Sequence, residues 1–156
     1  MLRTPAGRCA VLLSAAIAVP AAPAAHACWE DAASRYRVNS TLLYAIARTE
    51  SGVNPAAIGR NRNGSRDIGL MQINSTWLDT LARHGIHEAD LFDPCTNLHV
   101  GAWILAHNFH RHGYTWEAVG AYNATRPALR SAYVSKVRRQ LRAVAATASD
   151  RPASSR

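Results

Sequence analysis

The sequence predicts one mostly helical α+β domain with a small hairpin between residues 60 and 74. Three observations lead there. Apolar residues recur at helical spacing along most of the chain, and no run alternates at the two-residue period for long enough to make a full strand. A Gly- and Asn-rich connection over residues 52–74 interrupts that pattern, and so long a connection in a small domain usually serves function. At 156 residues, 48% of them apolar, the chain suffices for one core and gives no sign of a second.

Residues 1–27 read as a signal peptide rather than as part of that core. Arg3 and Arg8 form a basic start, Cys9 to Val19 is apolar, and Ala25-His26-Ala27 supplies a small-x-small cleavage site. The apolar stretch is short for a membrane span and is broken by Pro20 and Pro23, so no stable membrane insertion is expected. Ala25-His26 fits a lipidation site poorly, although Cys28 follows directly. The mature chain is expected to begin at Cys28 and to be periplasmic or secreted. Removal of the signal leaves Cys28 and Cys95, and an even pair in an oxidising compartment predicts a disulfide.

The elements follow in order. A first helix is expected over Trp29 to Arg37, and a second from a cap at Asn39 or Ser40 to about Ser51, where Gly52 and Asn54-Pro55 stop it. Asn61-Arg62-Asn63-Gly64-Ser65 carries the turn chemistry of a hairpin tip. Ser75 is expected to cap a helix ending before Gly85. Asp93-Pro94 opens another that ends before Gly113, with an apolar stripe of Leu98, Ala102, Leu105 and Phe109. Thr115 caps a short segment from Trp116 to Ala121 that runs into Tyr122-Asn123, and a last helix covers Pro127 to about Val144. The folded domain is thus expected over 28–144, followed by a disordered basic tail at 145–156.

Charge bounds the partners. Losing Arg3 and Arg8 lowers the net charge from +8 to +6, and from Arg126 onward eight Lys or Arg face only Asp150. A basic exported surface attracts wall polymer or anionic lipid, and export argues against nucleic acid. Arg130, Lys136, Arg138, Arg139 and Arg142 read as a solvated helix face.

Glu50 is the candidate for chemistry. Leu43, Ile46 and Ala47 make the apolar stripe of the second helix, and the next position on that stripe is Glu50. Burial and the partial negative charge of a helix C-terminus both favour the neutral acid, so its pKa is expected to rise. A carboxylic acid that keeps its proton near neutral pH can protonate a glycosidic oxygen. The plainer alternative is a Glu paired with an Arg such as Arg48.

Three short pieces in order, Glu50-Ser51-Gly52 with Asn54-Pro55, Gly69-Leu70-Met71-Gln72-Ile73-Asn74 and Ala121-Tyr122-Asn123, resemble the catalytic domain of bacterial lytic transglycosylases. The likeness runs from Cys28 to about Val144. It is closest to small single-domain members that accompany type III secretion, type IV pili and conjugation machinery, since Cys28-Trp29, Asp93-Pro94-Cys95 and Gly101-Ala102-Trp103 fit them too. The resemblance implies a lysozyme-like fold whose cleft binds peptidoglycan glycan strands. It implies that Glu50 is the single acid/base, first protonating the leaving oxygen and then taking the proton of the muramoyl 6-hydroxyl, to leave a 1,6-anhydro product. It implies a monomer in a Gram-negative envelope. Ser51, Asp67, Met71, Gln72, Tyr122 and Asn123 are the candidate substrate-binding residues, with Tyr122 and Met71 also readable as core packing.

Asn63-Gly64-Ser65-x-Asp67-x-Gly69-Leu70-x-Gln72-Ile73-Asn74 also resembles c-type lysozymes, in which a Glu and an Asp at this separation form a hydrolytic pair. Asp67 is then either a charge that stabilises an oxocarbenium-like centre, a nucleophile, or a turn residue bonding nearby backbone amides. The remaining alternatives are a lysozyme-type hydrolase using Glu50 and Asp67 and a non-catalytic wall-binding assembly protein. His99, His107, His110 and His112 lack the spacing of a zinc site, and neither metal nor other cofactor is expected.

Overall fold

The computed structural model describes residues 24–149; most of the expected signal segment and the end of the expected tail lie outside the described residues. Helix α1 spans Ala24–Tyr36, beginning before the expected Trp29, and α2 spans Ser40–Glu50. Asn39 caps α2 as its sequence suggests, its Oδ1 accepting from the Leu42 amide at 2.9 Å. At the other end Gly52 adopts φ +66°, the left-handed value that a helix stop of this kind requires.

The long connection folds into a three-stranded antiparallel sheet rather than one hairpin. Strands β1 (Ile58–Arg60), β2 (Arg66–Ile68) and β3 (Ile73–Asn74) stand in that order, with Gly59 opposite Asp67 and Asp67 opposite Asn74. The tip at residues 61–65 closes as its turn residues require, through Asn61 N to Ser65 O at 2.9 Å. The third strand escaped sequence reading because two residues carry no periodicity.

Beyond the sheet, Asn74 and not Ser75 acts as the cap, accepting from the Thr76 amide at 3.0 Å. A 3₁₀ turn, Ser75–Trp77, follows before α3 (Leu78–Ala82), and a second 3₁₀ segment covers Glu88–Phe92. Helix α4 (Pro94–His112) starts on Asp93, whose Oδ1 accepts from the Thr96 amide at 2.7 Å. Its expected stripe is inward: Leu98, Ala102 and Leu105 are buried and Phe109 packs against the core. Thr115 caps α5 (Trp116–Asn123), and α6 runs Pro127–Ser149. The last helix passes the expected end at Val144, because Ala145, Ala146 and Ala148 favour helix as strongly as any residue. Residues 145–149 are therefore helical, not tail.

One core joins these elements. Leu43, Ile46 and Ala47 of α2 are buried with Ile68, Met71 and Ile73 from the sheet region, Leu98 and Leu105 of α4, and Tyr133 and Val137 of α6. Helix α6 packs on α2 and α5, while α4 packs on α1 and α5. The Cys28–Cys95 disulfide ties α1 to the first turn of α4 with Cα atoms 5.6 Å apart, as the cysteine count led us to expect. Among the described residues no helix is long and apolar enough to cross a membrane.

Candidate active site

A cleft of about 1010 Å³ opens between the sheet and helices α5 and α6, at the upper end of the volumes that hold small ligands and wide enough for a length of polymer. Its lining is amide-rich, with Asn61, Asn63, Gln72, Asn74 and Asn123, and it contains two carboxylates, Glu50 and Asp67. Amides both donate and accept, which suits sugar hydroxyls and acetamido groups.

Glu50 ends α2 where the stripe leaves the core, and the structure places it as the sequence requires. Burial raises its pKa from the ordinary 4.5 to about 7; the hydrogen bond from Tyr133 works against that, the Asp67 charge adds to it, and Lys136 opposes it. Tyr133 Oη donates to Glu50 Oε1 at 2.5 Å. Arg48 does not pair with Glu50; its Nε donates to Gln140 Oε1 at 3.0 Å. The acid is thus balanced near neutrality, able to give a proton and to recover it.

Asp67 lines the same cleft and both its oxygens are accepting. Asn61 Nδ2 donates to Oδ2 at 2.9 Å and Asn74 Nδ2 to Oδ1 at 2.7 Å. These partners are side-chain amides, so the reading of Asp67 as a turn residue bonding backbone amides does not hold. The two Asn residues come from the hairpin tip and from β3, and they orient the carboxylate in the register that the sheet provides.

The segment 69–72 forms the floor and is held by several side chains. Asn97 is fully buried on α4: its Oδ1 accepts from the Met71 amide at 2.7 Å, and its Nδ2 donates to Ile68 O at 2.9 Å and Leu91 O at 2.7 Å. Ser51 Oγ donates to Leu70 O at 2.7 Å and accepts from the Asn54 amide at 3.0 Å. Tyr122 Oη donates to Met71 O at 2.9 Å. Gln72 takes φ +50° and steadies that conformation itself, donating from Nε2 to Gly69 O at 2.9 Å and Ala57 O at 3.2 Å.

The expected substrate-binding residues therefore separate. Asp67, Gln72, Tyr122 and Asn123 line the cleft; Ser51 and Met71 do not. The Met71 thioether is fully buried against Gly101, where a Cβ would lie 2.8 Å from Met71 Cβ, so its side chain packs, and its backbone N–H and C=O are taken by Asn97 and Tyr122. Ser51 spends its hydroxyl on fastening the α2 terminus to the floor. Sequence reading missed Tyr133, Lys136 and Asn97. Nothing local marks Tyr133, but its spacing from Val137 and Leu141 places it on the inward stripe of α6, and a phenol on a buried stripe needs a partner. Burial first, then the Glu50 charge, pushes both the Tyr133 and Tyr122 hydroxyls well above the usual tyrosine range, so both remain donors.

Among the described residues no group of three or more His, Cys, Asp or Glu is arranged to hold a metal. His99 instead lies 3.2 Å from Asp31 and edge-on to Tyr36.

The cleft thus holds a Glu of raised pKa at a helix end, and comparison with known proteins identifies the family. The family model for the transglycosylase SLT domain matches residues 27–143. The invasion protein IagB of Salmonella typhimurium (strain SL1344) is 49% identical over 115 residues, covering 70% of this chain and 72% of that protein. Protein IpgF of Shigella flexneri is 46% identical over 98 residues, 62% of this chain and 64% of that one. Among solved structures, lytic transglycosylase Slt from Pseudomonas aeruginosa, an inactive mutant, superposes with a TM-score of 0.61 at 24% identity, covering 76% of this chain but 23% of that one, a likeness of fold. The chain belongs to the transglycosylase SLT family, a family of enzymes acting on peptidoglycan.

Proposed function

We infer that this enzyme cuts the β-1,4 bond between N-acetylmuramic acid and N-acetylglucosamine and leaves a 1,6-anhydromuramoyl end. The observation that carries the reading is Glu50 in the cleft with its pKa raised to about 7 and Tyr133 bonded to one carboxyl oxygen. In the first step the protonated carboxyl gives its proton to the glycosidic oxygen as the C1–O bond breaks. In the second, the carboxylate takes the proton of the muramoyl 6-hydroxyl as that oxygen bonds to C1. Charge and protons balance without water, and the acid returns to its starting form.

Asp67 suits the positive centre that develops at C1, since its oxygens accept from amides and it has no basic partner among the described residues. Gln72, Tyr122 and Asn123 line the same cleft; with the Gln72 amide protons and the Tyr122 hydroxyl proton committed to backbone carbonyls, Gln72 Oε1 and Tyr122 Oη are left to accept, and Asn123 can donate or accept. Export by cleavage after Ala27 into the periplasm or beyond, and service to an envelope-spanning secretion, pilus or conjugation machine, complete the proposal. The word "invasion" in the name of the 49%-identical Salmonella protein supports the latter.

The position of Asp67 in the same cleft keeps a lysozyme-type hydrolase as the rival reading. Mass spectrometry of muropeptides released from purified peptidoglycan decides between them. Anhydro ends are expected; reducing muramic acid ends would establish the hydrolase, and no cleavage would establish a binding protein.

A further inference from the structure

Away from the cleft, the turn between α4 and α5 brings two aromatic rings to the surface among cations. Gly113 takes φ +71° and Thr115 is extended, and beside them Tyr114 and Trp116 stand 64% and 38% exposed. Both rings are braced. Tyr114 stacks on Phe109 with centroids 4.0 Å apart and its Oη accepts from the Asn39 amide at 3.2 Å, while the Arg138 guanidinium lies over Trp116, 4.4 Å from its centroid. Arg111 precedes Tyr114 in the last turn of α4, and Arg142 follows Arg138 by one turn on the same face of α6. All three arginines are exposed, and no ion pair engages them among the described residues. From His110 to Ser149 the chain has seven Lys or Arg and one acid, Glu117, whose Oε1 is taken by Arg130. Arg111, Tyr114, Trp116, Arg138 and Arg142 all lie outside the lining of the cleft, which is at the other end of α5.

We propose that these five residues form a docking face for an anionic lipid bilayer. A Tyr or Trp ring has an apolar body and a polar edge, which suits the boundary between headgroups and acyl chains. The guanidinium groups beside them match lipid phosphates in charge and in the geometry of their donors. Lipid uses both features, whereas a soluble polyanion would engage the arginines and leave the rings in water. No described helix is long and apolar enough to span a membrane, so the contact is peripheral and reversible. Lipid seated at the start of α5 leaves the cleft at its end uncovered, and the face acts on where the enzyme stands while Glu50 keeps the chemistry.

The test uses the chain from Cys28 onward, the form expected after export, so that the apolar segment at 9–19 cannot bind lipid in its place. Binding is measured by co-sedimentation with vesicles of phosphatidylcholine alone and of phosphatidylcholine mixed with phosphatidylglycerol. The enzyme should bind the anionic vesicles and release them as salt is raised. Arg138→Gln and Arg142→Gln should each weaken that binding by about fivefold. Tyr114→Ser, which keeps every charge, should weaken it too, and Arg83→Gln, the same loss of charge on α3's far end, should have little effect. Turnover of soluble glycan strands should be unchanged in all four, which shows that they fold. No binding to anionic vesicles, or equal binding to both kinds, overturns the lipid face. Arg83→Gln as damaging as Arg138→Gln reduces the effect to net charge and overturns it, as does Tyr114→Ser binding like wild type. Variants that keep vesicle binding but lose binding to purified wall sacculi would assign the face to wall polymer instead. Because cleavage is read separately, failure here leaves the reading of the cleft untouched.

Discussion

Tyr133 donates its hydroxyl proton to Glu50 across 83 residues of sequence, and that bond opposes the burial which otherwise neutralises the acid. The two effects meet at a pKa of about 7, and each can be tested by removing its source.

Glu50→Gln should abolish lysis, with a loss of at least ~10²–10⁴-fold, because an amide cannot donate and recover a proton. Stability should move the other way. An acid whose folded pKa is raised from 4.5 to about 7 costs stability as pH climbs through that window, on the order of 3 kcal/mol above it. The Gln variant escapes the cost, so it should melt higher than wild type at pH 8 and level with it near pH 4. Paired calorimetry at the two values checks this, and wild-type turnover by the variant would remove Glu50 from the mechanism.

Tyr133→Phe should push the alkaline limb of kcat/KM upward. The phenol favours the ionised carboxylate, so its loss holds the proton on Glu50 to higher pH. A hydrogen bond to a charged group contributes roughly 1.5–3 kcal/mol, and one pKa unit is about 1.4 kcal/mol, which sets the shift at about one to two units. A limb that stays in place would show that the bond is not made in solution.

Asp67→Asn should move the same limb downward, because a like charge that raises the Glu50 pKa has gone. The displacement should be smaller than the one burial produces, since burial is the larger cause. Opposite directions for the Tyr133 and Asp67 variants, read from pH–rate profiles on the same substrate, are the expected pattern. Products should remain anhydro sugars.

Reduction of Cys28–Cys95, or Cys95→Ser, should lower stability by about 4 kcal/mol in the chain-entropy model, given a closed loop of 67 residues. Urea unfolding with and without reductant measures it. A thiol count of two in denatured, unreduced periplasmic protein would rule the bond out.

The parts of the fold legible in sequence were those with a local cause. Asn39, Asp93 and Thr115 announce their helices because a cap needs only its neighbours. Glu50 was legible because a polar residue had taken the next place on the stripe of Leu43, Ile46 and Ala47. Ser51 and Met71 belonged to the right motifs but with different work, since a motif fixes which residues stand together and not which way each side chain points. Tyr133, Lys136 and Asn97 were invisible because their partners are distant in the chain: Tyr133 meets Glu50, Lys136 is felt only through the charge on that acid, and Asn97 meets Ile68, Met71 and Leu91. The basic face of α6 looked uniform in sequence, yet Lys136 faces the cleft while Arg138 lies over the Trp116 ring.

Helix α6 brings Tyr133, Lys136 and one wall of the cleft, and it lies far behind Glu50 in order of synthesis. A ribosome releases the acid long before its regulator, so a growing chain holds a carboxyl group without the pocket that gives it a working pKa. The enzyme is armed by its own completion: a fragment ending before Pro127 carries every signature residue from Glu50 to Asn123 and still lacks the bond that tunes them.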